Sequence, residues 1–584
     1  MKPQDIEDIY ELSPLQQGIV FHQLQSPDSR VYYVQATATL RGPLDEDALR
    51  RAWQHVVDRN PVLRTGFRWQ ELDKPLQIVH RHVAAAMTTC DWRLLPPAAR
   101  RAQLDALAES DRERDFELST PPLVRLALIR TGDEEHELLW SHHHILMDGW
   151  SFNLLLSELA ACYDAFARGE AYAAPPRPPY RRYVEWLQAR DAARTAAFWR
   201  ERLAGKTAPT RIAGVSRACR DLSGPPSGFE PVHVSPDVTA RLRQASRHRR
   251  VTMNTMVLAA WSLVLRRHSG DSDVLFGVTV SGRSDSVAQA EWMIGLFINT
   301  VPVRIDVPAT VPVAEWVRAI QARHSEAFEH AHAALVDIRS VSDISAGWPF
   351  FESLVVFERY PVGEQQGASG EPRRLAIEPQ SRWTEGGADY PLTLCVAETA
   401  EGLAGTLSYD AKAVDRALGV RLARHFERVL DSLAAGPERR VADLEMLTPG
   451  EREHLLAAPA PLPAEAPSLS DLFEAQVERT PDRLAVVDEQ RGWTYSELND
   501  AAARVAAALR RRGVGAESLV GIYAHRSVAM VAALLGTQKA RAAFLPLDPA
   551  YPPERLRFML DDAKAAVILT DRRLCETLPA TAGA

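Results

Sequence analysis

The sequence predicts an α/β protein built from more than one unit, and three observations carry that prediction. The chain has 584 residues, 46% of them apolar and 25% charged, enough material for several cores; at about 150 residues per domain, length alone suggests roughly three to four units. Apolar residues recur with helical spacing in some windows and with strand spacing in others. Proline-rich stretches at 173–180 ("AAPPRPPY") and 456–468 ("LAAPAPLPAEAPS") punctuate the pattern and have neither helix nor strand potential.

Residues 40–67 read as a strand end, a turn and an amphipathic helix. Leu49, Trp53, Val56 and Val57 share one helical face, and the Asn60-Pro61 step stops it. Residues 122–149 read as two strands joined at Gly132-Asp133. A helix follows over 151–170, with Asp148 or Ser151 as its N-cap. The connector at 173–180 marks a boundary. Beyond it come a helix at 253–267, a strand at 273–283 and a strand-rich stretch at 293–307. Further strands are predicted at 356–361, 390–399 and 402–410, and a helix at 415–435 closes the unit. After the second proline-rich stretch a new α/β pattern begins: a helix, a strand at "LAVVDE", a "TYSEL" turn with its helix, and a strand at "LVGIYA".

Charge and cysteine usage exclude several classes of function. Net charge is −8, from 76 acidic against 68 basic residues, so no global basic field marks a nucleic-acid binder. The cluster "RLRQASRHRR" (241–250) reads as a solvated helix face. Cys90, Cys162, Cys219, Cys395 and Cys575 are scattered and form no CxxC pair, which signals neither a zinc site nor a disulfide framework. The acidic N-terminus lacks signal-peptide character, and the longest apolar run, near 256–267, is too short to span a membrane. A cytoplasmic protein is expected.

The chemistry concentrates in "SHHHILMDGWS" (141–151). If the strand runs to residue 144, His142 and His144 share a face and a metal must be considered. No third ligand stands at convincing spacing, so no metal is assigned. Histidines satisfied at a strand end are the plain alternative. A strand, a glycine turn and a helix in succession place side chains at the edge of a cleft, which favours a functional role.

"HHILMDG" (143–149) resembles the HHxxxDG signature of nonribosomal peptide synthetase condensation domains, relatives of chloramphenicol acetyltransferase. Other blocks of that family stand in order: "SPLQQGIVFH" (13–22), "RNPVLRTGF" (59–67), "YRRYVEW" (180–186), "IGLFINTVPVR" (294–304) and "FFESLVVFERYP" (350–361). The resemblance covers about residues 8–445. It implies two acetyltransferase-like α/β lobes in a V-shaped pseudo-dimer around a central tunnel. On that reading residues 1–175 are the N-lobe, 176–448 the C-lobe and 449–468 a Pro/Ala-rich linker. The implied reaction is attack of an acceptor aminoacyl amine on a donor thioester, both carried on phosphopantetheine arms of carrier proteins. No cofactor is then attached to this chain, and neither nucleic acid nor membrane is a partner.

The same resemblance makes His144 the catalytic histidine, either as general base or as the group that orients the amine. His143 is expected to be structural, with direct contact to the reactants as the alternative. The Gly149 N–H is a candidate oxyanion donor. Asp148 is expected to pair with Arg283 of "SGRS" and fix the motif loop, with Trp150 and Ser151 in supporting places. The motif blocks look most like the subclass that joins an L-configured donor to an L acceptor.

Residues 469–584 resemble the opening of an adenylation domain, through "WTYSELN" (493–499) and "KARAAFLPLDPAYPPERL" (539–556), with Arg541 where that pattern has glycine. The phosphate loop, the ribose-binding aspartate and the catalytic lysine of that family are missing, so this truncated portion is expected to be inactive and to need the remainder of its domain. The end at "PATAGA" points to an excised or incomplete chain. No phosphopantetheine attachment site stands in the sequence ("GGAD" at 386–389 lacks the serine), so the carriers come from elsewhere. Epimerisation of a carrier-bound residue, a silent carrier-docking platform and acyl transfer to small soluble amines are the rival readings.

Overall fold

Glu135–His143 is the central strand of a five-stranded mixed sheet, and the histidine run stands at its end. The computed structural model describes residues 3–25, 32–212, 214–215, 227–284, 286–345, 347–358, 376–385, 390–399, 402–435, 439–457 and 467–578. Cys219, the predicted strand end at 359–361, the "GGAD" stretch and residues 579–584 lie outside them.

In the first sheet the strands run in the order Ala376–Glu385, Tyr33–Arg41, Glu135–His143, Val124–Arg130 and Met87–Asp91. All neighbours are antiparallel except the last pair. The central strand is buried on both faces from Leu138 onward, because helices cover both. On one face Trp140 meets Trp53 of the helix Glu46–Arg59 and Phe152 of the helix Gly149–Ala167. On the other, Leu139 clusters with Leu104 of the helix Pro97–Glu113. The Glu46–Arg59 helix starts where Asp45 Oδ1 accepts the Ala48 N–H and ends at Asn60, before Pro61.

A six-stranded sheet organises the second core, in the order Asn299–Asp306, Asp273–Val280, Ser353–Glu358, Leu392–Thr399, Gly402–Asp410 and Ser227–Val234. Met253–Ser269 is apolar nearly all round and lies buried, capped by Thr252 and ended by Gly270 in the left-handed conformation. The helix Arg416–Ala434 covers the same core and is capped by Asp415.

Two features depart from the expected layout. The edge strand Ala376–Glu385 comes from the C-terminal half yet pairs with Tyr33–Arg41 of the first sheet, so the second half lends the first a strand. An edge position tolerates Pro379, which has no N–H to donate. Pro449–Leu456 is helical where an extended linker was expected. Thr448 and Glu451 form its reciprocal cap, and Glu451 also accepts from His425 Nε2 at 3.1 Å.

The chain divides into two compact units, Met1–His454 and Leu455–Ala584. Length had suggested three to four; both large sheets, each with its own core, fall in the first. In the second unit Leu519–Tyr523 lies between Ala543–Leu547 and Val567–Thr570, all parallel. There the "TYSEL" segment is a capping box, with Thr494 and Glu497 opening the helix Tyr495–Arg511.

Candidate active site

The strand stops at His143, one residue before His144, so His144 leaves the face that His142 occupies. His142 is buried and stacks on Phe152 with the rings 13° from parallel. His143 is 2% exposed. Its Nδ1 accepts the Ile145 N–H at 3.2 Å, so the proton sits on Nε2, which donates to Gln23 Oε1 at 3.1 Å. Burial, and then the neighbouring His144, holds His143 down to about 3. Burial first, and the other two histidines after it, pulls His142 well below the ordinary imidazole range. Both rings are neutral at neutral pH.

His144 differs from both. It is partly exposed, its backbone N–H donates to Tyr32 O at 2.8 Å, and its ring has no hydrogen-bond partner among the described residues. Its Nδ1 is buried without a partner. Of the three histidines, His144 alone is more than marginally exposed. Among the described residues no three His, Cys, Asp or Glu side chains gather as a metal site would require.

Asp148 caps the following helix: its Oδ1 accepts the Ser151 N–H at 2.8 Å. Its Oδ2 accepts the Phe297 N–H at 3.1 Å, and Arg283 Nη2 lies 3.1 Å from Oδ1. Arg283 also donates to Ser151 Oγ and to the carbonyls of Ala290 and Met293, and its guanidinium stacks 4.0 Å from the Phe297 ring centre. Burial pulls that guanidinium below the usual arginine range, and Asp148 opposes the shift. The pair is nearly enclosed, with side chains 6% and 3% exposed, and joins the motif loop to the chain around 283–297. Trp150 Nε1 donates to Glu291 O at 3.0 Å and sits half-buried at the same junction. Ser151 Oγ donates to Gly295 O at 2.8 Å and accepts the Gly295 N–H at 3.1 Å. Gly149 opens the helix, where its N–H carries no capping side chain.

The separate motif blocks meet here. A Cβ on Gly295 would fall 2.1 Å from the ring of Tyr180, and one on Gly282 would fall 2.2 Å from Phe297 O. The glycines therefore admit the tyrosines of 180–186 against 294–304. Gln16 and Gln23 were not anticipated: both come from helix Pro14–Gln25 and both bond to the motif loop. Their seven-residue spacing, which puts them on one helix face, was the available signal.

Residues 6–456 match the family described as Condensation domain, and residues 473–583 match the family of AMP-binding enzymes. A linear gramicidin synthase chain of Brevibacillus parabrevis is 38% identical over 99% of this chain, and bacitracin synthase 3 of Bacillus licheniformis is 31% identical over 98%. The chain spans only 7% and 9% of those two proteins. Among solved structures, a four-domain nonribosomal peptide synthetase bound to AMP and glycine overlays 99% of this chain, and 45% of its own, with TM-score 0.66 at 21% identity. The X-domain from teicoplanin biosynthesis overlays 76% of this chain and 99% of its own, with TM-score 0.63 at 25% identity. The chain belongs to the condensation-domain family of nonribosomal peptide synthetases, followed by the N-terminal part of an AMP-binding domain.

Proposed function

We propose that residues 6–456 form a peptide bond between two carrier-bound acyl groups. The α-amine of an acceptor aminoacyl thioester attacks the donor thioester carbonyl. A C–N bond forms, the C–S bond breaks, and the amine's proton ends on the departing thiol. The lengthened peptide then rests on the acceptor carrier. Membership of the condensation family supports acyl transfer as the reaction class, and His144 is the observation that carries the residue assignment.

In this reading the partly exposed His144 ring presents Nε2 to the attacking amine, holds it and takes up its proton as charge develops. A free α-amine titrates at about 7.7–8.0, so part of it is already neutral and positioning carries much of the work. Holding two thioesters in attack geometry can lower the barrier by about 7–11 kcal/mol. In this reading the Gly149 N–H, at the positive end of its helix, faces the developing oxyanion. His143 is neutral and used on both nitrogens, so it supports the loop. The donor is L-configured in the subclass that the motif blocks resemble. Residues 473–583 do not activate an amino acid by themselves. The partners are donor and acceptor carrier proteins and the rest of the adenylation domain.

The test loads two carrier proteins with L-aminoacyl phosphopantetheine, adds the chain and follows intact masses. The expected result is a dipeptidyl mass on the acceptor and a bare donor arm. Unchanged masses with inverted donor chirality would instead establish epimerisation. Unchanged masses and chirality across a panel of amino acids would support a docking platform.

A further inference from the structure

We propose that Gln16 and Gln23 are positioning residues for His144, acting through the two residues that flank it. The assignment rests on the peptide-bond reading above. The His144 ring has no hydrogen-bond partner among the described residues, so its direction depends on the backbone that carries it. A catalytic group needs such support to stay within a fraction of an ångström of its productive place.

Both flanking residues are held by one helix. Gln16 Nε2 donates to Ile145 O at 3.0 Å, and Gln23 Oε1 accepts from His143 Nε2 at 3.1 Å. The Ile145 peptide is therefore fixed on both sides, its N–H by His143 Nδ1 and its carbonyl by Gln16. Gln16 cannot turn. Its amide forms a reciprocal pair with Gln77, at 2.9 and 3.3 Å, and its Oε1 also accepts the Ser13 N–H at 2.9 Å. Both glutamines of that pair are 0% exposed, and Gln77 is anchored to Glu11 O. All four hydrogen-bonding positions of the Gln16 amide are thus used. The Ile145 N–H sets the His143 tautomer, and Gln23 Oε1 accepts the resulting Nε2–H and so fixes the direction of the ring.

The experiment compares the full chain with Gln23→Met, Gln23→Glu and Gln16→Met in the two-carrier assay, at single turnover and matched thermal midpoints. Gln23→Met and Gln16→Met are expected to lose about ten- to hundredfold in rate at unchanged KM for the carriers. Gln23→Glu keeps an acceptor for Nε2–H and is expected to restore the rate. Histidine nitrogen NMR reads the same geometry without turnover. His143 should be the Nε2–H tautomer throughout, with that proton hydrogen-bonded and slow to exchange in wild type and Gln23→Glu, and fast to exchange in Gln23→Met. Wild-type rate in Gln23→Met, or a loss that Gln23→Glu does not restore, would overturn the assignment. A wild-type chain that forms no peptide would overturn the peptide-bond reading instead, and the exchange of the His143 Nε2–H would still decide whether Gln23 holds His143.

Discussion

His143 and His144 are neighbours in sequence with opposite surroundings, and each makes its own prediction. The folded chain keeps His143 neutral down to about pH 3, whereas an ordinary histidine in the unfolded chain takes up its proton near 6.5. The folded value is depressed, so the stabilisation is complete above about pH 6.5 and is lost as the pH falls from there toward 3. The slope approaches about 1.4 kcal/mol per pH unit for each such histidine. Urea unfolding at pH 7 and pH 5 should show that loss, and His143→Asn should flatten it, since the asparagine Oδ1 can replace Nδ1 as acceptor. Asp148 makes a second prediction. Removing it leaves Arg283 buried without its carboxylate and the helix without its cap, which costs about 3–5 kcal/mol. Asp148→Ala should therefore melt earlier and express less soluble protein. Normal melting with only the rate lost would assign Asp148 to the chemistry instead.

Between elements, the close approach of 282–297 to the helix Arg181–Gln188 is what two glycines permit. Gly282→Ala would drive a methyl group into Phe297 O and Tyr183 Oη. Phe297 N–H is a partner of Asp148, so the strain reaches the motif loop. A loss of about 1–3 kcal/mol is expected, visible as a lower thermal midpoint together with slower condensation. The elements with strong local signals were legible in the sequence. The helix Glu46–Arg59 announces itself by its apolar stripe, its capping Asp45 and Asn60-Pro61. The strand pair flanking Gly132-Asp133 and the Asp148 cap are as plain. What escaped depends on distant partners. Ala376–Glu385 is a strand because Tyr33–Arg41 offers it an edge, and nothing local in a segment with an internal proline says so. The helix Pro449–Leu456 was hidden behind its prolines, although Thr448 and Glu451 spell a capping box. Gln16 was read only as part of a motif block and Gln23 lies just past it, and their bonds to the loop exist only once the sheet brings residues 143–145 beside that helix.

On the scale of the whole molecule, the proline-rich connector at 173–180 does not separate independent bodies. Arg59 donates to Ala174 O and Pro175 O, and Arg177 bridges the buried Glu158 to Trp292 O. Burial pushes the Glu158 carboxyl up, yet Arg177, Arg59 and Asn60 together hold it below the ordinary range. With the edge strand that the second half adds to the first sheet, and the Asp148–Arg283 pair, these contacts make residues up to His454 one unit with two cores. A unit tied at several points suits a reaction that depends on fixed geometry between two large substrates. Within that frame His144 is the residue proposed to serve the condensation. Single-turnover peptide formation between two loaded carriers, compared in wild type and His144→Ala at equal thermal midpoints, tests that role most directly. His144→Ala is expected to stay folded while its rate collapses by about a hundredfold or more. A folded His144→Ala that forms peptide at the wild-type rate would contradict it.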